Sequence, residues 1–348
     1  MTPKLSICIP TYNFGEFIGE TLKSIVGQAT EEVEIVIVDG ASTDNTQAIV
    51  TDWQRKFPGI RYFRLAQKGG IDHDLAKSVE LASGEYCWLF SSDDVMRPDA
   101  IRGVIEHLEQ ACDVYVCEHS LCDKNMRVLH DYPIFVDEKS RFVEFSDARQ
   151  RGECLAEALN TEALFSFMSG LIVRRSKWLS VDPGTQFLGS CWWHVARLLE
   201  VARTRLSVCY VSDVWLDKRG DNDSFLERGV VNRFRIAVDG FTRISTHFYG
   251  ADSRELAEVR RLLRNELSIL SFFSARDRVA KSPRTESRDE LDRIFDLCYR
   301  NCGMQGRITR VLYYCLPMGA YRGLKSTYKI ARAGMRLARG RSKGIKHA

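Results

Sequence analysis

Three stretches decide the fold: LSICIPTYN (5–13), EIVIVDGASTDNT (34–46) and GEYCWLFSSDD (84–94). Each is an apolar run that breaks off into polar residues. The middle run is uninterrupted, the pattern of a strand buried on both faces of a parallel sheet. Helical spacing follows the first run at Phe17, Ile18, Thr21, Leu22, Ile25 and Val26, with Asn13 and Glu16 at capping-box spacing. Ser42 or Asp44 can cap the next helix, and Pro58-Gly59 ends it. IRYFRLA (60–66) reads as a further strand, Gly69-Gly70 as a turn, and Asp72 to Ser83 as a helix. Pro98 then opens PDAIRGVIEHLEQ close to its first helical position. Repeated βα units of this length imply a parallel sheet with right-handed crossovers. Sites in such sheets lie at the carboxyl ends of the strands. Thr11-Tyr12-Asn13, Asp39 and Ser92-Asp93-Asp94 therefore converge on one edge.

From about Asp113 the pattern changes. DVYVCEHSLCD and RVLHDYPIF suit a β-ribbon, SGLIVRR (169–175) and LSVCYVSDVWL (206–216) suit strands, and CWWHVARLLEVA (191–202) suits an apolar helix. After Phe225 the chain reads as helical to about Ala338. The fold class expected is α/β, a mostly parallel sheet flanked by helices, with a helical C-terminal region. The expected division is 1–222, split at 112/113, and 223–348.

With 348 residues, 45% apolar and 28% charged, the chain has an ordinary globular balance. No run of 18 apolar residues is present, so no membrane-spanning helix is expected. The N-terminus reads as a first strand and not as a signal peptide. None of the eleven cysteines falls in a C-x-x-C pair, and several sit in strand-like runs, the usage of buried reduced thiols. The net charge of +4 conceals an asymmetry. From Leu297 to Ala348 there are twelve Lys and Arg and no acid, which leaves residues 1–296 at −8. From about Arg307, basic and apolar residues interleave at helical spacing, as in helices that lie on anionic membranes. A membrane surface is the expected partner of this tail, and no nucleic-acid partner is expected. The expected location is cytoplasmic and peripheral, on the cytoplasmic face of the membrane.

Two adjacent carboxylates at a strand end, Asp93 and Asp94, repel unless a cation or donors compensate. Hard oxygen ligands suit Mg²⁺ or Mn²⁺, and such an ion bridging a diphosphate assists its departure as a Lewis acid. The same pair also suits a solvated turn or a helix cap. Asp39 ends a strand before Gly40 and is placed either for a nucleobase N–H or for an Asx-turn.

Taken together, the three stretches resemble the three-part signature of the family 2 glycosyltransferases in order, spacing and strand context, over roughly the first 110 residues. The resemblance implies the GT-A fold, a Rossmann-like α/β architecture, with residues 1–112 as its nucleotide-sugar part and 113–222 as its acceptor side. It implies that Pro10, Thr11 and Tyr12 line the nucleobase pocket and that Asp39 pairs with the base. It places Asp93 against the ribose or phosphate and gives Asp94 the metal. It also implies an inverting, single-displacement transfer from a nucleoside-diphosphate sugar to a saccharide hydroxyl, activated by a general base. GGIDHDLAKSVELASGEYCWLFSSDD (69–94) further resembles the abequosyltransferase-like enzymes of O-antigen assembly, which implies a lipid-linked acceptor and a hexosyl or dideoxyhexosyl donor.

The chain departs from the family at several positions. Ser91 stands where many members have a carboxylate. Asp74-Leu75-Ala76, preceded by Asp72-His73, replaces a frequent Ala-Arg-Asn. Asp72 or Asp74 would accept from an exocyclic amine and so favour cytosine or guanine, although Asp72 also suits a helix cap. The family's Glu-Asp base is missing from Gly189-Ser190-Cys191-Trp192-Trp193-His194. His194 is the nearest titratable side chain and the candidate base, although it equally suits a packed helix position. Asp182 and Asp213 are further candidates. Arg219, within Lys218–Ser224, is expected to pair with the diphosphate, which Asn222 and Ser224 would help to hold.

Other classes fit less well. A sugar nucleotidyltransferase would carry a Gly-rich loop after the first strand, and a dinucleotide oxidoreductase a G-x-G-x-x-G; neither is present. A catalytically inactive nucleotide-sugar-binding or scaffold protein is the alternative that the missing Glu-Asp leaves open.

Overall fold

The computed structural model describes residues 2–137, 139–281, 287–300 and 302–323. The part of the basic tail beyond 323 lies outside the described residues. The elements begin β1 (Leu5–Thr11), α1 (Ile18–Val26), β2 (Val33–Asp39), α2 (Thr46–Lys56), β3 (Ile60–Arg64), α3 (Ile71–Leu81) and β4 (Tyr86–Leu89). A short β5 (Val95–Met96), α4 (Ala100–Leu108), β6 (Val114–Cys122), β7 (Val128–Tyr132), β8 (Arg141–Glu144) and α5 (Ala148–Glu157) follow. Next come 3₁₀ turns at Thr161–Leu164 and Met168–Gly170, then β9 (Leu171–Arg174), α6 (Arg175–Leu179), α7 (Trp193–Val201) and β10 (Ser207–Lys218). Five helices close the described chain: α8 (Val230–Tyr249), α9 (Arg254–Glu266), α10 (Ile269–Lys281), α11 (Arg288–Tyr299) and α12 (Gly303–Cys315).

All ten strands join one sheet, in the order β3-β2-β1-β4-β9-β6-β10-β5, with β7 on β6 and β8 on β10. Strands β3, β2, β1 and β4 are mutually parallel, as the βα repeats require. Strand β9 then runs antiparallel between β4 and β6, so β6 and β10 point the same way as β1. The carboxyl ends of β1, β2, β4, β6 and β10 consequently share one edge. Every residue of β1 and β2 is buried, which explains why their runs are mainly apolar and not alternating; the buried Ser6 and Glu34 bond to each other at 2.6 Å. Leu5, Ile7, Ile9, Ile35 and Ile37 pack with Leu22 and Ile25 of α1 into the central core. Burying each of these side chains stabilises the fold by about 1.5–3 kcal/mol. The expected β-ribbon is β6 against β7, paired antiparallel.

Two helix starts differ from expectation. Helix α1 begins at Ile18, because the Asn13 carboxamide is taken by the backbone N–H of Thr43 at 2.7 Å. Helix α4 begins two residues after Pro98, with Asp99 in a left-handed conformation at its cap. Asp44 does serve α2: it accepts from the Thr46 N–H and hydroxyl and from Gly15 N–H.

The chain divides into two compact units, one of residues 1–227 with 236–265, the other of 228–235 with 266 onward. The sheet lies wholly within the first. The second is helical, and its core is aromatic: the rings of Phe295 and Tyr313 stack at 3.7 Å and Phe272 meets Phe295 edge-on.

Candidate active site

Strand β2 lies on one side of β1 and β4 on the other, so the chain leaves β1 toward one side of the sheet and leaves β4 toward the other. The carboxyl ends of β1 and β4 thus flank a topological switch point, where open α/β sheets form their ligand crevice. Thr11 ends β1 there. It is buried, and its Oγ1 has no hydrogen-bond partner among the described residues. An orphaned buried hydroxyl is costly and calls for a ligand or water. Pro10 precedes it in the strand, and Tyr12 follows, with Lys68 Nζ 3.7 Å above its ring. Asp39 faces Thr11 across the β1–β2 register. Its Oδ1 accepts from Ser42 N–H at 2.7 Å and its Oδ2 from the Tyr62 hydroxyl at 2.5 Å. Burial and the Asp39 charge raise the Tyr62 phenol well above its ordinary range. Asp39 therefore both shapes the turn after β2 and leaves a negative group under it.

Gly40 makes room for Asp74: a Cβ there would lie 2.4 Å from Asp74 Oδ2 and would displace that carboxylate. Asp74 is buried, approaches His73 Nδ1 at 3.1 Å, and is raised by burial despite that histidine. The β1–β2–α3 corner thus carries two buried carboxylates, Asp39 and Asp74.

Asp72 has another task. Its Oδ2 accepts from Gly189 N–H at 2.8 Å and Cys191 N–H at 3.1 Å, and its Oδ1 from Trp193 N–H at 3.3 Å. It is buried and closes the N-terminus of α7, which would otherwise leave N–H groups unpaired. Burial raises its pKa against the pull of these donors. This corrects both roles that sequence suggested for Asp72: its two oxygens are taken by backbone N–H groups, and it caps a helix whose start lies 117 residues away rather than its own.

Beyond β4, Asp94 is 2% exposed. Its Oδ1 accepts from Arg219 N–H at 3.0 Å and its Oδ2 from Ser169 Oγ at 2.6 Å. Burial and the neighbouring Asp93 push its carboxyl up to about 7, opposed by Ser169, Arg219 N–H and Lys218. Asp93 is held by Ser91 Oγ and by the Asn222 carboxamide. Ser169 also receives Ser91 N–H at 2.9 Å. Sequence gave no hint of Ser169. Its position depends on β9 entering the sheet antiparallel beside β4, a non-local pairing without a local motif.

The donor set suits a divalent ion of the hard class. No cluster of three or more His, Cys, Asp or Glu is assembled among the described residues, and the Asp93-Asp94 pair is the candidate ligand set. Mg²⁺ is commonly held by one or two carboxylates with substrate phosphates and water completing its shell. A buried carboxyl raised by a like-charged neighbour is the state that such an ion relieves.

Arg219 is not available to a diphosphate, a second correction. Its guanidinium donates to the carbonyls of Asp93 at 2.8 Å and Lys124 at 2.6 Å and to Glu20 at 2.5 Å, and it lies over Phe17. It clamps α1, the end of β4 and the β6–β7 turn together. Lys218, one residue earlier, is the cation that acts on Asp94, with its Nζ 4.4 Å from the Phe167 ring centre.

His194 is the third correction. It is buried, and because its Nε2 meets the Phe165 carbonyl at 3.1 Å it must donate there. Burial lowers its pKa to about 4. It packs α7 onto the Thr161–Leu164 turn and offers no base to a solvent-borne hydroxyl. Trp192 and Trp193 are likewise in the fabric: Trp192 Nε1 donates to Ile236 O and Trp193 Nε1 to Gly184 O.

An acidic pair after β4 and a buried carboxylate after β2 thus share one strand edge, and comparison with known proteins shows what such a chain is similar to. The family model for glycosyl transferase family 2 matches residues 6–168. Abequosyltransferase RfbV of Salmonella typhimurium is 32% identical over 252 residues, covering 70% of this chain and 75% of that protein. Among solved structures, S. aureus TarS in complex with UDP-GlcNAc superposes with a TM-score of 0.61 at 16% identity, covering 92% of each chain. Mannosyltransferase PcManGT from Pyrobaculum calidifontis, in complex with GDP-Man and Mn²⁺, gives 0.53 at 16% identity, covering 93% of this chain and 88% of that one. The fold is the GT-A type. The chain belongs to the family 2 glycosyltransferases.

Proposed function

We propose that this glycosyltransferase moves a hexosyl or dideoxyhexosyl group, with inversion, from a nucleoside-diphosphate sugar to a hydroxyl of a lipid-linked saccharide in cell-surface polysaccharide synthesis. The observation that carries this reading is the pairing of the Asp93-Asp94 end of β4 with the Thr11–Asp39 corner at one switch point, in a chain whose 32% identical relative is an abequosyltransferase. The base would lie over Tyr12 and between Pro10, the unpartnered Thr11 hydroxyl and the Asp39 carboxylate. Asp39 and Asp74 are acceptors, so a base that presents an exocyclic amine, cytosine or guanine, suits the corner better than uracil. The two solved structures named above hold UDP-GlcNAc and GDP-Man, and neither base transfers to this chain by likeness of fold.

Asp94, with Asp93 on the ribose or phosphate side, would hold Mg²⁺ or Mn²⁺, and the ion when bound supplies positive charge to the departing diphosphate. Lys218 takes the diphosphate role that Arg219 cannot. Sugar chemistry at a membrane is favoured by the chain's own charge. Helix α12 turns Met304, Ile308, Val311, Leu312 and Cys315 outward, and no acid occurs from Leu297 onward. No described helix is long and apolar enough to cross a membrane, so a surface association on the cytoplasmic face is proposed.

The test is a thermal-shift panel of CDP, GDP, UDP and dTDP with Mg²⁺ or Mn²⁺, followed by assay of diphosphate release from the matching sugar donors. A ligand that binds only the native state raises its apparent stability by mass action. A CDP or GDP shift that needs the metal is expected; a larger shift with UDP rejects the base assignment. The second reading, binding without transfer, is favoured by one observation: residues 189–194 supply no carboxylate. Metal-dependent release of nucleoside diphosphate decides against it.

A further inference from the structure

The helical unit holds a buried cation that sugar transfer does not use. Arg276 lies on α10 and is 8% exposed. One of its Nη groups donates to the backbone carbonyl of Tyr313. Its Nε is buried and has no hydrogen-bond partner among the described residues. The guanidinium stands 5.0 Å from the Tyr313 ring centre and 5.5 Å from that of Phe273. Asp277, the next residue, is turned to other cations: it accepts from Lys281 Nζ at 2.7 Å and from Arg322 Nε at 2.6 Å. A buried guanidinium with no carboxylate bonded to it is costly, because nothing offsets the desolvation of its charge.

A second guanidinium stands at the same ring. Arg288 of α11 lies 5.4 Å from the Tyr313 ring centre. Phe295 covers one face of that ring, stacked at 3.7 Å and 16°. The two arginines therefore share the other face and the rim. Arg276 is at the backbone end of Tyr313, and Arg288 is at the hydroxyl end. There Asp292 Oδ1 accepts from both the Tyr313 hydroxyl and Arg288 Nε, each at 2.6 Å. Burial, and then the Arg288 charge, hold the Arg276 pKa below its ordinary value. Asp292 balances one of the two guanidiniums, and one positive charge is left over. Asp296, further along α11, is paired with Arg310 at 3.1 Å. The cluster is open to solvent at its Arg288 end, where the arginine side chain is 36% exposed and that of Asp292 25%.

We infer that Arg276 and Arg288 form a binding site for a phosphate group. Arginine forks match phosphate oxygens, and the tetrahedral anion can accept from two separate forks where a planar carboxylate engages one. Its charge cancels the excess at the ring, and the Arg276 Nε gains the acceptor that the fold does not give it. Helix α12 carries Tyr313 and also exposes Ile308, Val311 and Leu312. A phosphate on a lipid headgroup and a free phosphate share this chemistry, and experiment separates them.

Full-length wild type is compared with Arg276→Met and Arg288→Gln. The second replaces a half-exposed side chain and keeps the test available if the first does not fold. Titration calorimetry with inorganic phosphate, free of divalent metal and at an ionic strength fixed with chloride, should show a saturable site in wild type. Each variant should weaken it at least about 10-fold, the contribution of one charge-assisted hydrogen bond. Flotation then uses phosphatidylcholine vesicles made anionic with phosphatidic acid or, to the same surface charge, with oleate. A preference of wild type for phosphatidic acid that both variants lose assigns the site to a lipid headgroup. A saturable phosphate site without that preference assigns it to free phosphate. Folded variants that bind phosphate and both kinds of vesicle as wild type does overturn the inference. A wild type with neither a saturable phosphate site nor a preference between the vesicles overturns it as well.

Discussion

Asp94 illustrates how one residue's surroundings decide its use. Its carboxyl sits at the end of an apolar strand, beside another carboxylate, and is almost wholly out of water. Among the described residues its charge is met by two neutral donors, the Ser169 hydroxyl and the Arg219 N–H, and by Lys218 at longer range. A divalent ion together with the donor diphosphate completes that balance. Asp94→Asn should therefore keep the fold and lose the metal-dependent part of the nucleotide thermal shift, with turnover reduced at least about 100-fold. A variant that still shows the full Mn²⁺-dependent shift would remove Asp94 from the metal site. His194 illustrates the opposite case. In the folded chain it stays neutral down to about pH 4, whereas the unfolded chain takes up a proton near its ordinary value of 6.5. Between these values the unfolded state binds more protons, so stability falls as pH falls through the window, by up to about 3 kcal/mol for this buried ring. Urea titrations at pH 4.5 and 7 should show that loss in wild type and a smaller one in His194→Gln. Turnover of His194→Gln at pH 7.5 should stay within a few-fold of wild type; a loss of about 100-fold in a folded variant would return His194 to the catalytic role.

Among the elements, α3 and α7 depend on each other. Both are helices whose N-termini reach the site edge, and Asp72 of α3 supplies the acceptor that α7 lacks. Asp72→Ala leaves the N–H groups of Gly189, Cys191 and Trp193 without it, and an unmade buried hydrogen bond costs about 1–3 kcal/mol. We expect a loss of that size in urea unfolding, with the order of preference among CDP, GDP and UDP unchanged. A changed order would show that Asp72 reads the base after all. The same pair of helices marks the limit of what the sequence discloses. Strands β1, β2 and β4 were legible because each is a short apolar run closed by polar residues, and so were the Thr11, Asp39 and Asp94 strand ends. The corrections all concern side chains whose partners are remote in the chain. Asp72 finds α7 across 117 residues and Arg219 finds Glu20 across 199. Periodicity reports which face of an element is buried, not which remote N–H or carbonyl awaits a charged side chain there. Ser169 escaped notice for the same reason: it sits on a 3₁₀ turn that has no period to read.

On the scale of the whole molecule, charge and apolar surface are distributed unevenly. Helix α12 buries only Gly306 and Tyr313, while Met304, Ile308, Val311 and Leu312 point outward at 78, 56, 61 and 48% exposure. Their spacing of four, three and one residues forms a second apolar stripe on a helix that already uses its first. Arg307 and Arg310 lie in the same helix, and the stretch from Leu297 onward holds twelve basic residues and no acid. A stripe left in water is unfavourable, and with basic surroundings an anionic surface is the cover we propose for it. Sedimentation with vesicles of phosphatidylcholine and phosphatidylglycerol tests this directly. The full chain should pellet with anionic vesicles, pellet much less with pure phosphatidylcholine, and release as salt rises. Ile308→Glu with Val311→Glu should cut binding at least about 10-fold without altering nucleotide binding, since burying these side chains contributes about 1.5–3 kcal/mol each. Undiminished binding by that double variant would leave the basic residues as the whole of the attraction. A fall from dimeric to monomeric mass in the same variant would instead assign the stripe to a second copy of the chain. If the stripe does face lipid, transfer to a lipid-linked acceptor becomes a search in two dimensions. Anionic vesicles carrying that acceptor should then lower its apparent KM relative to detergent-dispersed acceptor, and the double variant should lose that advantage while retaining its kcat.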